Sequence, residues 1–211
     1  MKRVLLLYGG WKGHRPDRIA DFVAERLLND FEIVRSKNLN ILRPRILSGF
    51  DLLVPIWTFG KLTKNQERAL LNAVANGMGI VSWHGGASSF LENRPHKLLL
   101  GGQFVRHLGG SHVSYGVRFR GNDPLTKGLK NFRVTSEQYY LLIDPAVKVL
   151  ADTPIHGANW HWLAGVRMPI AWKRRWGKGR VFYCSLGHTL NILEHPVVTS
   201  LIRRAMCWAS R

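Results

Sequence analysis

The sequence predicts one α/β domain of three layers, in which helices cover both faces of an open, mostly parallel sheet. A length of 211 residues with 45% hydrophobic content suits a single domain over residues 1–211, without a linker. Short apolar runs alternate with stretches of helical spacing in the first half, a pattern typical of strands joined by helices. These runs are continuously apolar, as expected for parallel strands that are buried on both faces.

The elements of the first half follow one another with short loops. Residues 4–8 predict the first strand, and apolar residues at helical spacing over residues 16–28 predict a helix that begins near Pro16. Strands are predicted at residues 31–34 and 51–56. Thr63 and Gln66 have capping-box spacing and open a second helix that ends before Gly77. Residues 79–83 predict the fourth strand.

The second half contains fewer helical patterns. Its predicted strands lie at residues 112–119, 147–151, 168–172 and 180–185, and a closing helix covers residues 196–209. Residues 94–120, which include the strand at 112–119, and residues 154–163 are predicted to be irregular insertions.

The chain is strongly basic, with a formal net charge of +18 and an isoelectric point near 10.8. Such a positive charge suggests nucleic acid as a partner. The basic residues are spread along the chain, however, and the densest group, residues 173–180, is predicted to be a hairpin loop before a strand. Net charge concerns solubility and non-specific binding rather than fold. We therefore predict a basic solvated surface and no specific nucleic-acid function.

The sequence also predicts the compartment. No apolar run approaches the length of a membrane span, and the apolar run at residues 4–8 is too short for a secretory signal. Cys184 and Cys207 form no disulfide framework. A cytoplasmic protein without a membrane partner is therefore expected.

Three histidines follow predicted buried strands. His14, His84 and His188 each lie a few residues beyond an apolar run. Neighbouring parallel strands have their carboxyl ends at one edge, where open α/β sheets bind ligands. We therefore expect these side chains to face one pocket.

The fourth predicted strand ends in Trp83-His84-Gly85-Gly86. The paired glycines allow a sharp turn of the kind that exposes a nucleophile above a sheet. Trp83 occupies the expected nucleophile position, and neither serine nor cysteine stands in the turn. A covalent serine or cysteine mechanism is therefore not expected here, and His84 is left as an acid, a base or a ligand.

Several stretches together resemble the ThuA-like (trehalose-utilisation) family. The likeness spans nearly the whole chain, and this family belongs to the class I glutamine amidotransferase-like, flavodoxin-like folds. The matching stretches are LTKNQ (62–66), GMGIVSWH (77–84), LGGQF (100–104) with His107, DPLTKGL (123–129), TSEQY (135–139), PIAW (169–172), GKGRVFY (177–183) and LGH (186–188).

The resemblance implies a site and a metabolic role. His84, His107, Glu137 and His188 correspond to the recurrent polar positions of the family and are the candidate catalytic residues, with His14 in the first loop. The resemblance also implies carbohydrate metabolism, with 3-keto disaccharides or related oxidised sugars as candidate substrates. The absent cysteine argues against glutamine hydrolysis.

These residues suggest proton transfer on a sugar. In an oxidised sugar the proton next to the carbonyl is acidic, and Glu137 or His84 could remove it while another group stabilises the enediolate. The backbone amides of Gly85 and Gly86 could supply that stabilisation. Trp11, Trp57 and Trp83 could stack on a sugar together with His14, although core packing explains the tryptophans equally well.

A divalent metal such as zinc or manganese could also bind here, with ligands drawn from His84, His107, Glu137 and His188. The sequence leaves elimination, isomerisation and hydrolysis open, and it leaves open a homo-oligomer. Two other classes remain as alternatives: a non-catalytic sugar-binding domain, and a basic protein associated with nucleic acid.

Overall fold

The computed structural model describes residues 1–155 and 160–211. Within them the strands, in chain order, are β1 (Arg3–Gly10), β2 (Glu32–Ser36), β3 (Leu52–Thr58), β4 (Gly79–Trp83), β5 (Gly102–His107), β6 (Val113–Phe119), β7 (Phe132–Ser136), β8 (Tyr139–Ile143), β9 (Lys148–Pro154), β10 (Arg167–Trp176) and β11 (Gly179–Cys184). The helices are α1 (Pro16–Phe22), α2 (Pro44–Leu47), α3 (Lys64–Ala75), α4 (Arg94–Leu100), α5 (Leu190–Leu193) and α6 (Pro196–Ala209).

The strands of the described residues form one nine-stranded sheet and a separate two-stranded ribbon. The order of the large sheet is β2-β1-β3-β4-β11-β10-β9-β6-β7, and β5 pairs with β8 in the ribbon. In this order, the first five strands, β2, β1, β3, β4 and β11, run parallel to one another. The remaining strands, β10, β9, β6 and β7, each pair with their neighbours in antiparallel orientation. The predicted α/β class is confirmed, with the parallel strands gathered in one half of a mixed sheet.

Helices cover both faces of the sheet because each central strand is apolar on both sides. Along β1, Val4 and Leu6 pack into one buried cluster with α1 and α6, and Leu5 and Leu7 pack into the other with α2, α3 and α4. Alternate residues of a strand point to opposite faces. The continuous apolar run of β1 therefore reflects a strand that lies between two layers of helices.

The parallel strands end together at one edge of the sheet. Gly10 of β1 pairs with Thr58 of β3, and Trp83 of β4 pairs with Cys184 of β11. The loops that follow these strands therefore share one end of the domain, which is where the sequence places His14, His84 and His188.

The prediction of an irregular insertion at residues 94–120 is wrong. This region contains α4, which has a proline in its first turn and ends at Gly101 with a φ of +83°, and it contains the strand β5. The polar and half-exposed residues of β5 hide its strand pattern because the ribbon lies outside the main sheet. The predicted insertion at residues 154–163 falls partly on residues 156–159, outside the described residues.

The densest basic segment belongs to the β10–β11 hairpin. Lys173 contacts the carboxylate of Asp123 at 2.7 Å, and Arg174 contacts that of Asp144 at 2.5 Å. Part of this positive charge is therefore balanced by internal ion pairs. Among the described residues no helix is both long enough and apolar enough to span a bilayer.

Candidate active site

Four side chains converge at the carboxyl edge of the parallel strands. His14 follows β1, His84 follows β4 and His188 follows β11, while Glu137 lies in the two-residue link between β7 and β8. One ligand atom from each of the four lies within 4.8 Å of those of the others. We call these residues the His/Glu cluster.

His84 stands at the apex of the turn after β4. Its φ is +40°, whereas Trp83 before it is extended. A non-glycine residue in the left-handed region is costly and is often found at functional sites. The strained position that the sequence assigns to Trp83 is therefore occupied by His84.

The ring of His84 is held in one orientation. Its Nδ1 donates to the carbonyl oxygen of Ser185 at 3.1 Å, and the hydroxyl of Tyr183 donates to the carbonyl oxygen of His84 at 2.8 Å. Because a carbonyl only accepts, Nδ1 carries a proton, and Nε2 is the ring nitrogen that faces the cluster.

Three atoms of the cluster form a tight triangle. His84 Nε2 lies 3.3 Å from Glu137 Oε2 and 3.1 Å from His188 Nδ1, and the third side, from His188 Nδ1 to Glu137 Oε2, is 3.4 Å. The Tyr139 hydroxyl lies 2.8 Å from His84 Nε2. His84 is almost fully buried and Glu137 is mostly buried, so the contacts are shielded from water.

His14 reaches the cluster because glycine allows a close approach. Its Nδ1 is 2.8 Å from Thr58 Oγ1. A Cβ atom on Gly85 would lie 2.2 Å from that hydroxyl oxygen and 2.9 Å from His14 Nδ1. His107 lies at the edge of the His/Glu cluster instead. Its side chain is half-exposed, and its Nε2 is 3.9 Å from Glu137 Oε1.

The cluster contains one carboxylate, and the pKa values of Glu137, His14 and His188 are all lowered. Burial raises the pKa of Glu137, but the hydrogen bond and charge of His84 and the charges of His188 and His107 outweigh it and bring the pKa to about 2. Burial and then the neighbouring histidines lower the pKa of His14 to about 3, and the pKa of His188 falls for the same reasons. Near neutral pH, Glu137 is therefore ionised while His14 and His188 are neutral.

The predicted tryptophans differ in exposure. Trp11 is 48% exposed beside Phe59, with ring centroids 6.1 Å apart. Trp57 is partly buried and Trp83 is buried, and both line the same crevice as Gly85 and Gly86.

A cavity of about 310 Å³ adjoins the cluster. Its lining includes His14 and His188, the basic residues Arg15 and Arg18, and the apolar residues Ile19 and Leu190. The two arginines therefore place positive charge beside the His/Glu cluster.

Two residues that contact the cluster, Tyr139 and Thr58, were not predicted from the sequence. Tyr139 follows Glu137 by two residues, a spacing that places both on one side of an extended chain, and this was the available signal. Thr58 lies two residues beyond the strand predicted at residues 51–56, and no sequence pattern pairs it with His14.

Cys184 does not supply a nucleophile. It is buried in β11, and burial raises the pKa of its thiol to about 12. The thiol is therefore protonated and inaccessible near neutral pH.

Lys97 lies under the turn that follows His84. Its ammonium donates hydrogen bonds to the carbonyl oxygens of Ala87 and Ser89. Burial lowers the pKa of Lys97 from 10.5 to about 7. The neighbouring His96 is also buried, and burial followed by the charge of Lys97 lowers its pKa to about 3. Lys97 is therefore the residue of this pair that titrates near neutral pH.

Lys97→Met is expected to change how stability depends on pH. Above pH 7 the folded chain releases this proton while the unfolded chain keeps it, so the free energy of unfolding should rise by up to about 1.4 kcal/mol per pH unit. The methionine variant lacks this rise. Urea unfolding between about pH 7 and pH 9 measures both slopes. Parallel slopes for wild type and Lys97→Met contradict the prediction, and the exposed Lys64→Met is the matched control.

The fold and the cluster define an α/β domain of amidotransferase-like architecture whose strained turn carries a histidine in place of a nucleophile. The family model ThuA, described as trehalose utilisation, matches residues 3–209. The chain belongs to this family, as the sequence motifs predict. No curated protein sequence matches the chain.

Solved structures share the fold at low identity. A putative ThuA-like protein from Bacteroides uniformis has a TM-score of 0.78 at 18% identity, with 98% of this chain and 89% of that chain covered. A putative ThuA-like protein from Parabacteroides merdae has a TM-score of 0.76 at 17% identity, with 99% and 89% covered. A β-galactosidase from Rahnella sp. R3 has a TM-score of 0.61 at 16% identity, and the match covers 88% of this chain and 28% of that protein.

Proposed function

We propose that this protein is an enzyme of carbohydrate metabolism that transfers protons on an oxidised sugar in the His/Glu cluster. The observation that carries the proposal is the convergence of one carboxylate and three imidazoles within 4.8 Å at the carboxyl edge of the sheet. Carboxylates and imidazoles held close together are the side chains that most often accept and donate protons in catalysis.

A keto sugar suits this charge arrangement. Removal of the proton next to its carbonyl creates negative charge on the carbonyl oxygen, so the site must accept a proton and stabilise an oxyanion. The ionised Glu137 and the neutral imidazoles of His14 and His188 offer acceptors for the proton. The turn at Gly85 and Gly86 brings backbone amides to the same crevice.

The surroundings of the cluster favour a sugar over a purely apolar substrate. The exposed rings of Trp11 and Phe59 offer flat faces on which a pyranose can stack. The adjoining cavity of about 310 Å³ combines basic and polar side chains with apolar ones. The family description, trehalose utilisation, supports the same substrate class.

A substrate screen tests this proposal. Native disaccharides and their 3-keto derivatives are incubated with wild type and with His84→Ala, and products are separated by chromatography and identified by mass spectrometry. We expect wild type to transform at least one keto disaccharide, and His84→Ala to transform it much more slowly. Binding of keto sugars without turnover would instead favour a non-catalytic sugar-binding domain. If wild type neither binds nor transforms any of them, the proposal is wrong.

A further inference from the structure

We infer that His84, His188 and Glu137 bind a divalent transition-metal ion of the zinc type, with His14 as the fourth group around it. The inference deepens the proposed function and rests on it for the catalytic role of the ion. Its structural basis is independent, because it depends only on the geometry and the chemistry of the donor atoms.

The spacing of the donor atoms matches a metal coordination shell. The three sides of the triangle between His84 Nε2, His188 Nδ1 and Glu137 Oε2 are 3.1, 3.3 and 3.4 Å. A tetrahedral ion with ligand bonds of about 2.0–2.1 Å places its ligands about 3.3–3.4 Å apart. The side chains therefore already stand near three corners of such a shell.

Contacts to the second ring nitrogen also orient two of the histidine side chains. Metal-bound histidines commonly donate their second ring nitrogen to a carbonyl or carboxylate, which fixes the ring and leaves the other nitrogen free to bind. His84 does this through Ser185, and His14 Nδ1 contacts the Thr58 hydroxyl. The left-handed backbone at His84 directs its ring toward the other donors.

The donor types select the class of ion. Imidazole nitrogens and one carboxylate suit zinc, cobalt and related transition metals, whereas magnesium and calcium prefer shells made of oxygen atoms. His107, half-exposed and 3.9 Å from the other oxygen of Glu137, lies outside the triangle. His14, and not His107, therefore lies beside the three donors, and the fourth position of the ion is left for water or substrate.

A bound ion explains how the site would act on a keto sugar. A zinc-type ion lowers the pKa of its bound water and polarises a carbonyl. With an ion held by His84, His188 and Glu137, the resulting hydroxide would replace the side chains of the cluster as acceptor of the proton next to the carbonyl, and would become water. The electron pair of the broken C–H bond would form the C=C bond of an enediolate, and the ion would stabilise the negative charge on its oxygen.

Zinc binding by the metal-free protein tests the inference. The full chain is prepared without an affinity tag and with Cys207→Ser, which removes the exposed thiol. Equilibrium dialysis against ZnCl₂ should give one ion per chain. Glu137→Gln and His188→Ala should each weaken binding by at least about tenfold, while His161→Ala, in an exposed turn, should leave it unchanged. Co²⁺ should give the intense visible bands of a four-coordinate site.

Three results overturn the inference: no stoichiometric zinc, equal affinity in all variants, or Co²⁺ bands that survive in Glu137→Gln. Circular dichroism verifies that each variant is folded, and Glu137→Gln, which keeps the side-chain shape, decides if His188→Ala is unfolded. Zinc binding without sugar turnover rejects the proposed function alone. Sugar turnover by protein that binds no zinc rejects the metal site alone.

Discussion

Glu137→Gln is expected to lower kcat on the keto sugar by about 10²- to 10⁴-fold, the usual contribution of a positioned proton-transfer group. Glutamine has nearly the same shape, but it carries no charge, accepts no proton at neutral pH and binds metal ions poorly. The cluster then keeps its three imidazoles and loses its anion. Initial rates at saturating substrate, measured with the sugar identified in the screen, give the change in kcat.

The control for this variant is Glu92→Gln. Glu92 lies on the surface, where it pairs with Lys61, so its substitution tests the effect of losing one carboxylate away from the site. We expect wild-type kcat for Glu92→Gln. A Glu137→Gln variant that is folded and retains more than about a tenth of wild-type kcat would show that the carboxylate does not take part in the chemistry.

Trp172→Ala is expected to lower the free energy of unfolding by about 3–5 kcal/mol, the usual cost of removing a large aromatic side chain from a core. Trp172 is fully buried in β10, and its indole donates to the carbonyl oxygen of Leu100 at 2.8 Å. Its ring lies 4.5 Å from that of Tyr183. The substitution leaves a cavity and a buried carbonyl without its donor. Urea unfolding, with the midpoint compared at an unchanged slope, measures the loss.

Trp162→Ala provides the matched comparison. Trp162 is 71% exposed, and a surface substitution of this kind usually changes stability by less than about 0.5 kcal/mol. Because Tyr183 also donates to the carbonyl oxygen of His84, Trp172→Ala is expected to reduce activity even below its unfolding midpoint. Equal stability of the two tryptophan variants would contradict this account of the core.

The parallel half of the fold could be predicted because each of its strands is apolar on both sides. Residues 4–8 and 79–83 are the examples: they are buried between two layers, so their character does not depend on which neighbour they pair with. The strands β5, β7 and β8 could not be predicted in this way. Their exposed residues interrupt the apolar pattern that marks a buried strand. The strands with which they pair lie elsewhere in the sequence.

The site, like the fold, has features that could be predicted from the sequence and features that could not. His84 and His188 could be found because each follows a buried strand, and Glu137 stood out only through the family resemblance. The arrangement of donor atoms could not be predicted, since it depends on the left-handed turn at His84 and on the clearance at Gly85. For that reason the sequence favoured His107 as a ligand, whereas the structure places His14 nearer to the others.

Glu137 occupies the short link between β7, at the edge of the large sheet, and β8, in the separate ribbon. The three histidines, in contrast, come from the parallel half. A chain in which only the parallel half has formed would hold its imidazoles without the carboxylate. The complete His/Glu cluster therefore forms only when both halves of the domain have packed together.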